Sequence, residues 1–122
     1  MSTILIIEDN EKNLKLVRDV LQAKGHTTAE AESAEEGLKL VAERKPDLVL
    51  MDIQLPGMSG IDALKILRAE EATRAIPVIA ISASVMQQDR KQITDAGFDD
   101  FIEKPINLKD FLGAVNKALA KA

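Results

Sequence analysis

Four short apolar runs and a fifth, more polar one alternate with longer amphipathic stretches, and this alternation constrains the fold more than any other feature. The apolar runs are Ile4-Leu5-Ile6-Ile7, Leu48-Val49-Leu50-Met51, Val78-Ile79-Ala80-Ile81 and the weaker Phe101-Ile102. Continuous aliphatic and β-branched runs of this length suit strands buried on both faces of a parallel sheet. The polar run from Thr27 to Ala31 suits an edge strand. Between the runs, Leu14, Val17, Val20 and Leu21 recur at helical spacing, and Gly25 follows as a stop signal. Ser33-Ala34-Glu35-Glu36 reads as a capping box, ahead of a face made by Leu38, Val41 and Ala42. Ile61, Leu64 and Leu67 mark a third helix. The segment from Val85 to Ala96 carries the weakest pattern, with Met86, Ile93 and Ala96 apolar and Gly97 ending it. Asn107 caps a last helix in which Leu108, Phe111, Leu112, Val115 and Leu119 are expected to face inward.

Strand and helix thus alternate five times, which predicts an α/β fold with helices on both faces of the sheet. Right-handed crossovers leave few topologies, and the expected one is a flavodoxin-like (βα)5 doubly wound parallel sheet of strand order 2-1-3-4-5. No repeat and no Pro/Gly/Ser linker divides the chain, and 122 residues is the size of one unit, so residues 1–122 are expected to form a single domain.

Composition removes several function classes. The chain has 20 acidic and 16 basic residues, a net charge of −4, and so lacks the basic footprint of a nucleic-acid binder. It has no Lys/Arg block for a membrane surface. The absence of cysteine excludes a disulfide framework, a zinc finger and thiol catalysis. Without Tyr or Trp there is little aromatic surface on which to stack bases. No apolar run approaches a membrane span and the N-terminus lacks a signal-peptide pattern, so the expected location is cytoplasmic.

In an open parallel sheet, ligands bind outside the carboxyl ends of the strands. The first strand is followed by Glu8-Asp9, the third by Asp52, the fourth by Ser82 and the fifth by Lys104-Pro105. Three carboxylates, a hydroxyl and an ammonium are therefore expected on one rim. Taken singly, Glu8 or Asp9 reads more readily as an anion serving a helix N-terminus, worth about 0.3–1 kcal/mol. Taken together, three converging carboxylates repel at about 4 kcal/mol per close pair at an intermediate dielectric, and Lys104 neutralises only one. A divalent cation resolves this, and an all-oxygen site with room for water suits Mg2+. Three carboxylates and one ammonium sum to −2, which the ion brings to zero. A phosphoryl group on Asp52, at about −2, would leave the cluster at −1 with the ion and −3 without it. A carboxylate nucleophile, a cation, Lys104 and the Ser82 hydroxyl are the parts phosphoryl transfer needs, and Ala83 leaves room for the group to enter.

The residues at this rim resemble those of the response-regulator receiver domains of two-component signalling. The resemblance covers essentially the whole chain. It rests on Ile6-Ile7-Glu8-Asp9-Asn10, the run from Leu50 through Asp52, Pro56 and Gly57 to Gly60, Ile81-Ser82-Ala83 and Lys104-Pro105, in that order. The opening Glu8-Asp9-Asn10-Glu11-Lys12-Asn13 and the run Met51-Asp52-Ile53-Gln54-Leu55-Pro56 resemble single-domain cell-division regulators of the DivK type and the receivers of hybrid sensor kinases. The resemblance implies that Asp52 accepts a phosphoryl group from a histidine kinase or histidine phosphotransfer protein. It implies that Glu8, Asp9, Asp52 and the backbone carbonyl of Gln54 hold Mg2+, and that Lys104 contacts the phosphoryl group. It also implies a cis Lys104-Pro105 peptide, a switch pair of Ser82 and Phe101, and a water path tuned by Gln54 and Ser84. Docking of the kinase is expected at Asn13 and Leu14 and at Pro105-Ile106, and output through contact with a downstream protein. Serine stands where threonine is commoner, which keeps the hydroxyl. Phe101 lacks the hydroxyl of the frequent tyrosine, which removes any output step needing a hydrogen bond from the ring.

Three other readings fit the same residues less well. An aspartyl-phosphate phosphohydrolase needs an acid/base carboxylate two residues past its nucleophile, where Gln54 stands, so no enzyme of turnover is expected. A nucleotide-binding module needs a glycine-rich turn after the first strand, where Glu8-Asp9-Asn10 stands. An unphosphorylated receiver scaffold would have no use for the intact rim. The lone histidine, His26, reads as a surface residue, Met51 and Met58 as packing, and Met86 as core or output surface. The acidic group Glu30, Glu32, Glu35 and Glu36 reads as a solvated face plus a cap.

Overall fold

Period-2 alternation along the strands sorts their side chains onto two faces. In the computed structural model, which describes residues 2–53, 55, 57–82, 91, 93, 95–104 and 106–121, the chain runs β1 (Thr3–Ile7), α1 (Glu11–Ala23), β2 (Thr27–Ala31), α2 (Ala34–Arg44), β3 (Leu48–Asp52), α3 (Gly60–Ala69), β4 (Val78–Ser82), β5 (Asp100–Glu103) and α4 (Leu108–Lys121). The five strands form one sheet of order β2-β1-β3-β4-β5, with every pair parallel, as expected. Leu5, Ile7, Val49, Met51, Val78 and Ala80 face α2 and α3. Ile4, Ile6, Leu48, Leu50, Ile79 and Ile81 face α1 and α4. The apolar runs are continuous because both faces are covered.

Helix ends follow the capping signals. Asn10 Oδ1 accepts from Lys12 N and Asn13 N at 3.0 and 3.2 Å. Ser33 Oγ accepts from Glu36 N at 3.2 Å, and Asn107 Oδ1 from Lys109 N and Asp110 N at 3.0 and 3.2 Å. Gly25 and Gly97 take positive φ at 90° and 107°, where glycine carries no Cβ penalty. Of the segment 85–96, the described residues Lys91, Ile93, Asp95 and Ala96 are helical, and Ile93 is buried. Met86 lies outside the described residues.

Some inward faces differ from the pattern reading. Ala42 is exposed, because α2 turns Ala34, Gly37 and Val41 to the sheet. Gly37 allows this close seat: a Cβ there would overlap Ile7 Cδ1. Leu108, at the start of α4, is exposed, while Phe111, Val115 and Ala118 supply the buried stripe. His26 is half-buried with an enclosed Nδ1, since its turn packs back on α1 through His26 N to Leu21 O at 3.1 Å.

The rim opposite the carboxyl ends is held by Arg68 at the end of α3. Its guanidinium donates to Arg74 O, Ile76 O and Gly97 O at 2.8, 2.6 and 3.1 Å, and pairs with Asp99 Oδ2 at 2.8 Å. Asp99 in turn accepts from Val78 N at 2.8 Å, which ties this clasp to the start of β4. Among the described residues, no helix is long and apolar enough to cross a membrane.

Candidate functional site

The ends of β1, β3, β4 and β5 lie side by side because the strands are parallel and in register, and the polar residues that close them meet there. The strand ladder extends one residue further than the apolar runs suggest. Asp52 is the last residue of β3 and pairs with Ile81, and Ser82 is the last of β4 and pairs with Glu103. Both are 2% exposed. Glu8, just past β1, is also 2% exposed, and its backbone N–H donates to Ala31 O at 3.0 Å. Glu8, Asp9 and Asp52 each place a carboxylate oxygen within 4.8 Å of the others. Asp9 is exposed, which leaves the cluster open to solvent on one side.

Lys104 enters from the end of β5. Its Nζ donates to Glu8 Oε1 and to Asp52 Oδ2, both at 2.9 Å, with only 17% of its side chain exposed. Its backbone N–H donates to Ser82 O at 2.9 Å, which fixes the stem of the side chain at the sheet edge. Phe101 is half-buried on β5 and pairs with Ala80. Alternation puts Ser82 on the same face as Ala80, so hydroxyl and ring lie on one face of adjacent strands. Gln54, Ala83, Ser84 and Pro105 lie outside the described residues, so the carbonyl, the water path and the peptide isomer expected there are not placed.

Glu8, which taken singly could serve a helix N-terminus, does not do so here. Asn10 caps α1, and Glu8 turns inward to Lys104. That cap was legible, since asparagine before a helical run is a standard N-terminal signal. The Asn13 side chain, in the first turn of α1, favours the ionised form of Glu8.

The electrostatics follow from burial. Desolvation, and next the adjacent Asp52 carboxylate, push the Glu8 carboxyl up from 4.5 to about 7, against the opposing pull of Lys104 and Asn13. Desolvation also opposes the charge on Lys104, but its hydrogen bonds to Asp52 and Glu8 outweigh this and hold the ammonium above the ordinary lysine value. Between about pH 4.5 and 7 the folded chain therefore binds more protons at Glu8 than the unfolded chain does. Metal-free stability is expected to fall as pH rises through that window, by up to about 3 kcal/mol, and to level off above it. Urea unfolding with chelator at several pH values reads the slope, and Glu8→Gln should flatten it. An equal slope in both proteins would exclude Glu8 as its source.

The residues fit a hard divalent cation. The second oxygen of Glu8 is buried without a hydrogen-bond partner, an arrangement that costs free energy unless a cation or proton fills it. The donors are all carboxylate oxygens, one side is open to water, and with all three acids ionised the cluster with Lys104 carries −2. These are the conditions that favour Mg2+.

Comparison with known proteins agrees with the fold. A response regulator receiver domain model matches residues 4–116. The polar-differentiation response regulator DivK of Brucella ovis is 42% identical over 120 residues, covering 98% of each chain. The signal receiver domain of a signal transduction histidine kinase from Syntrophus aciditrophicus superposes with TM-score 0.93 at 26% identity, over 100% of this chain and 92% of that one. The receiver domain of a sensor histidine kinase from Pseudomonas aeruginosa, described with a magnesium ion coordinated in its active-site cleft, gives TM-score 0.90 at 27% identity over 98% of both chains. A family model spanning nearly the whole chain, joined to full-length identity above 40%, places this chain in the response regulator receiver domain family.

Proposed function

We propose that Asp52 is a phosphoacceptor charged by a phosphohistidine on a kinase or phosphotransfer protein in a Mg2+-dependent reaction, and that the product signals in the cytoplasm by contact with a downstream protein. The observation that carries this reading is a buried Asp52 carboxylate held 2.9 Å from Lys104 Nζ inside a three-carboxylate cluster.

An Asp52 oxygen attacks phosphorus, the P–N bond to the donor imidazole breaks, and the imidazole leaves with the electron pair and gains a proton. The carboxylate becomes an acyl phosphate. Lys104, already at Asp52, shifts its hydrogen bond to a phosphoryl oxygen and keeps that charge matched. The Ser82 hydroxyl donates to another, which draws the end of β4 toward the group, and Phe101 follows on the same face. Glu8, Asp9, Asp52 and the Gln54 carbonyl are the proposed ligands of Mg2+, which when bound screens the charge on the transferring oxygens. The chain assists its own phosphorylation and dephosphorylation and turns over no other substrate. For docking, Leu14 is 8% exposed and packs in the core, so donor contact on α1 falls to Asn13 and its exposed neighbours, with Ile106 across the rim.

Acetyl phosphate with MgCl2 should add one phosphoryl group, read by intact mass, and chelator should abolish it. A native chain that gains nothing with Mg2+ present would refute the proposal and leave the unphosphorylated scaffold.

A further inference from the structure

α3 begins in direct contact with the backbone of Asp52. Gly60, its first residue, donates its N–H to Ile53 O at 3.0 Å, one residue after Ser59, whose Oγ accepts from Asp62 N at 3.2 Å. A Cβ on Gly60 would lie 2.6 Å from Asp52 O, 2.9 Å from Ile53 Cα and 3.3 Å from Asp52 C. All three are backbone atoms, so none can swing aside. Ordinary contact begins at 3.4 Å, which leaves the added carbon short of room by close to an ångström.

The helix has little freedom to retreat. Ala63, Leu64 and Leu67 are buried at 0–3% exposure against the sheet, and Arg68 pins the far end through four partners. The strand is held on its other side, where Asp52 pairs with Ile81 and Ile53 N donates to Ile81 O at 3.0 Å. Strain from any side chain at position 60 is thus delivered to the Asp52–Ile53 backbone, at the end of the ladder. Alanine is the better helix former, so glycine here is held by space and not by propensity.

We propose that Gly60 is a positioning residue for Asp52: the missing side chain lets α3 act as a fixed backstop that sets the acceptor carboxylate relative to Lys104 and Glu8. The inference rests on the phosphoacceptor reading of Asp52. A shift of this size at a reacting carboxylate slows transfer by roughly tenfold to a hundredfold.

The test compares four full-length chains: native, Gly60→Ala, Arg68→Ala and the double variant. Each is assayed for phosphorylation rate with acetyl phosphate and MgCl2, for Mg2+ affinity by calorimetry, and for folded fraction by circular dichroism. Gly60→Ala should be roughly tenfold slower or worse and bind Mg2+ more weakly while folded. Arg68→Ala, which loosens the opposite rim, should lose stability yet keep the native rate within about twofold. The double variant should regain part of the rate although it is the least stable, because the helix can now back away. If Gly60→Ala folds only in trimethylamine N-oxide, all rates are taken in that osmolyte. A folded Gly60→Ala with native rate and native Mg2+ affinity overturns the inference, as does a double variant slower than Gly60→Ala. A native chain that takes no phosphoryl group defeats the phosphoacceptor reading instead, and the two failures are told apart by that control.

Discussion

Lys104→Met is expected to cost the metal-free protein about 3–5 kcal/mol near pH 8, the usual loss when one partner of a buried ion pair is removed. The ammonium sits 2.9 Å from two carboxylates whose side chains are each only 3% exposed. Methionine keeps most of the volume of the stem, so the loss reports charge and not a cavity. With the cation gone, Glu8 relieves the strain by holding its proton to higher pH, since burial and Asp52 already raise it to about 7. The cost should therefore shrink at about pH 5, where Glu8 is protonated in either protein. Added MgCl2 should return part of the lost stability, because a divalent ion replaces the missing positive charge. Guanidinium unfolding with chelator and with Mg2+ at both pH values gives the four numbers. A loss under about 1 kcal/mol at high pH would mean that the ammonium does not hold the cluster together.

Asp52→Asn should abolish phosphorylation and at the same time stabilise the metal-free chain, by roughly 1–2 kcal/mol above pH 7. The two effects have one cause. The carboxylate that attacks phosphorus is also a like charge beside Glu8, so removing it lowers the repulsion in a dry site while Lys104 remains paired with Glu8 Oε1. The pH slope assigned to Glu8 should shrink but persist, because desolvation is the larger cause of its shift. Mg2+ affinity should fall as well. A variant that keeps its label would move the acceptor elsewhere, and one that loses stability would mean the Asp52–Lys104 bond outweighs the repulsion.

The sheet was legible because each buried strand is a continuous aliphatic run, and the order of polar residues at the strand ends alone brings Glu8, Asp52 and Lys104 to one rim. The strand limits at Asp52 and Ser82 were missed by one residue, since a pattern of hydrophobicity stops where polarity begins while the ladder carries on. The pairing of Lys104 with Glu8 and Asp52 spans 96 and 52 residues of chain, and no local pattern predicts a contact at that range. Glu8 was the harder case. Strand-end order puts its carboxylate in the cluster, but only three-dimensional packing shows it buried with one oxygen unpartnered. Gly60 closes the run that begins at Leu50, and its role is not legible there because the demand on it comes from a close approach that spacing does not encode.

The order of strands has a consequence for behaviour in a crowded solution. The three stickiest segments, Ile4–Ile7, Leu48–Met51 and Val78–Ile81, lie in β1, β3 and β4, each with a neighbour on both sides. The two borders fall to β2, which reads Thr-Thr-Ala-Glu-Ala, and to β5, four residues long with an acid at each end. Short or charged margins are poor templates for another molecule's backbone, so the folded chain is protected from edge-to-edge aggregation even at high concentration. Loss of that shielding on unfolding would release all three runs together, which makes the lifetime of the native state the main guard against fibril formation.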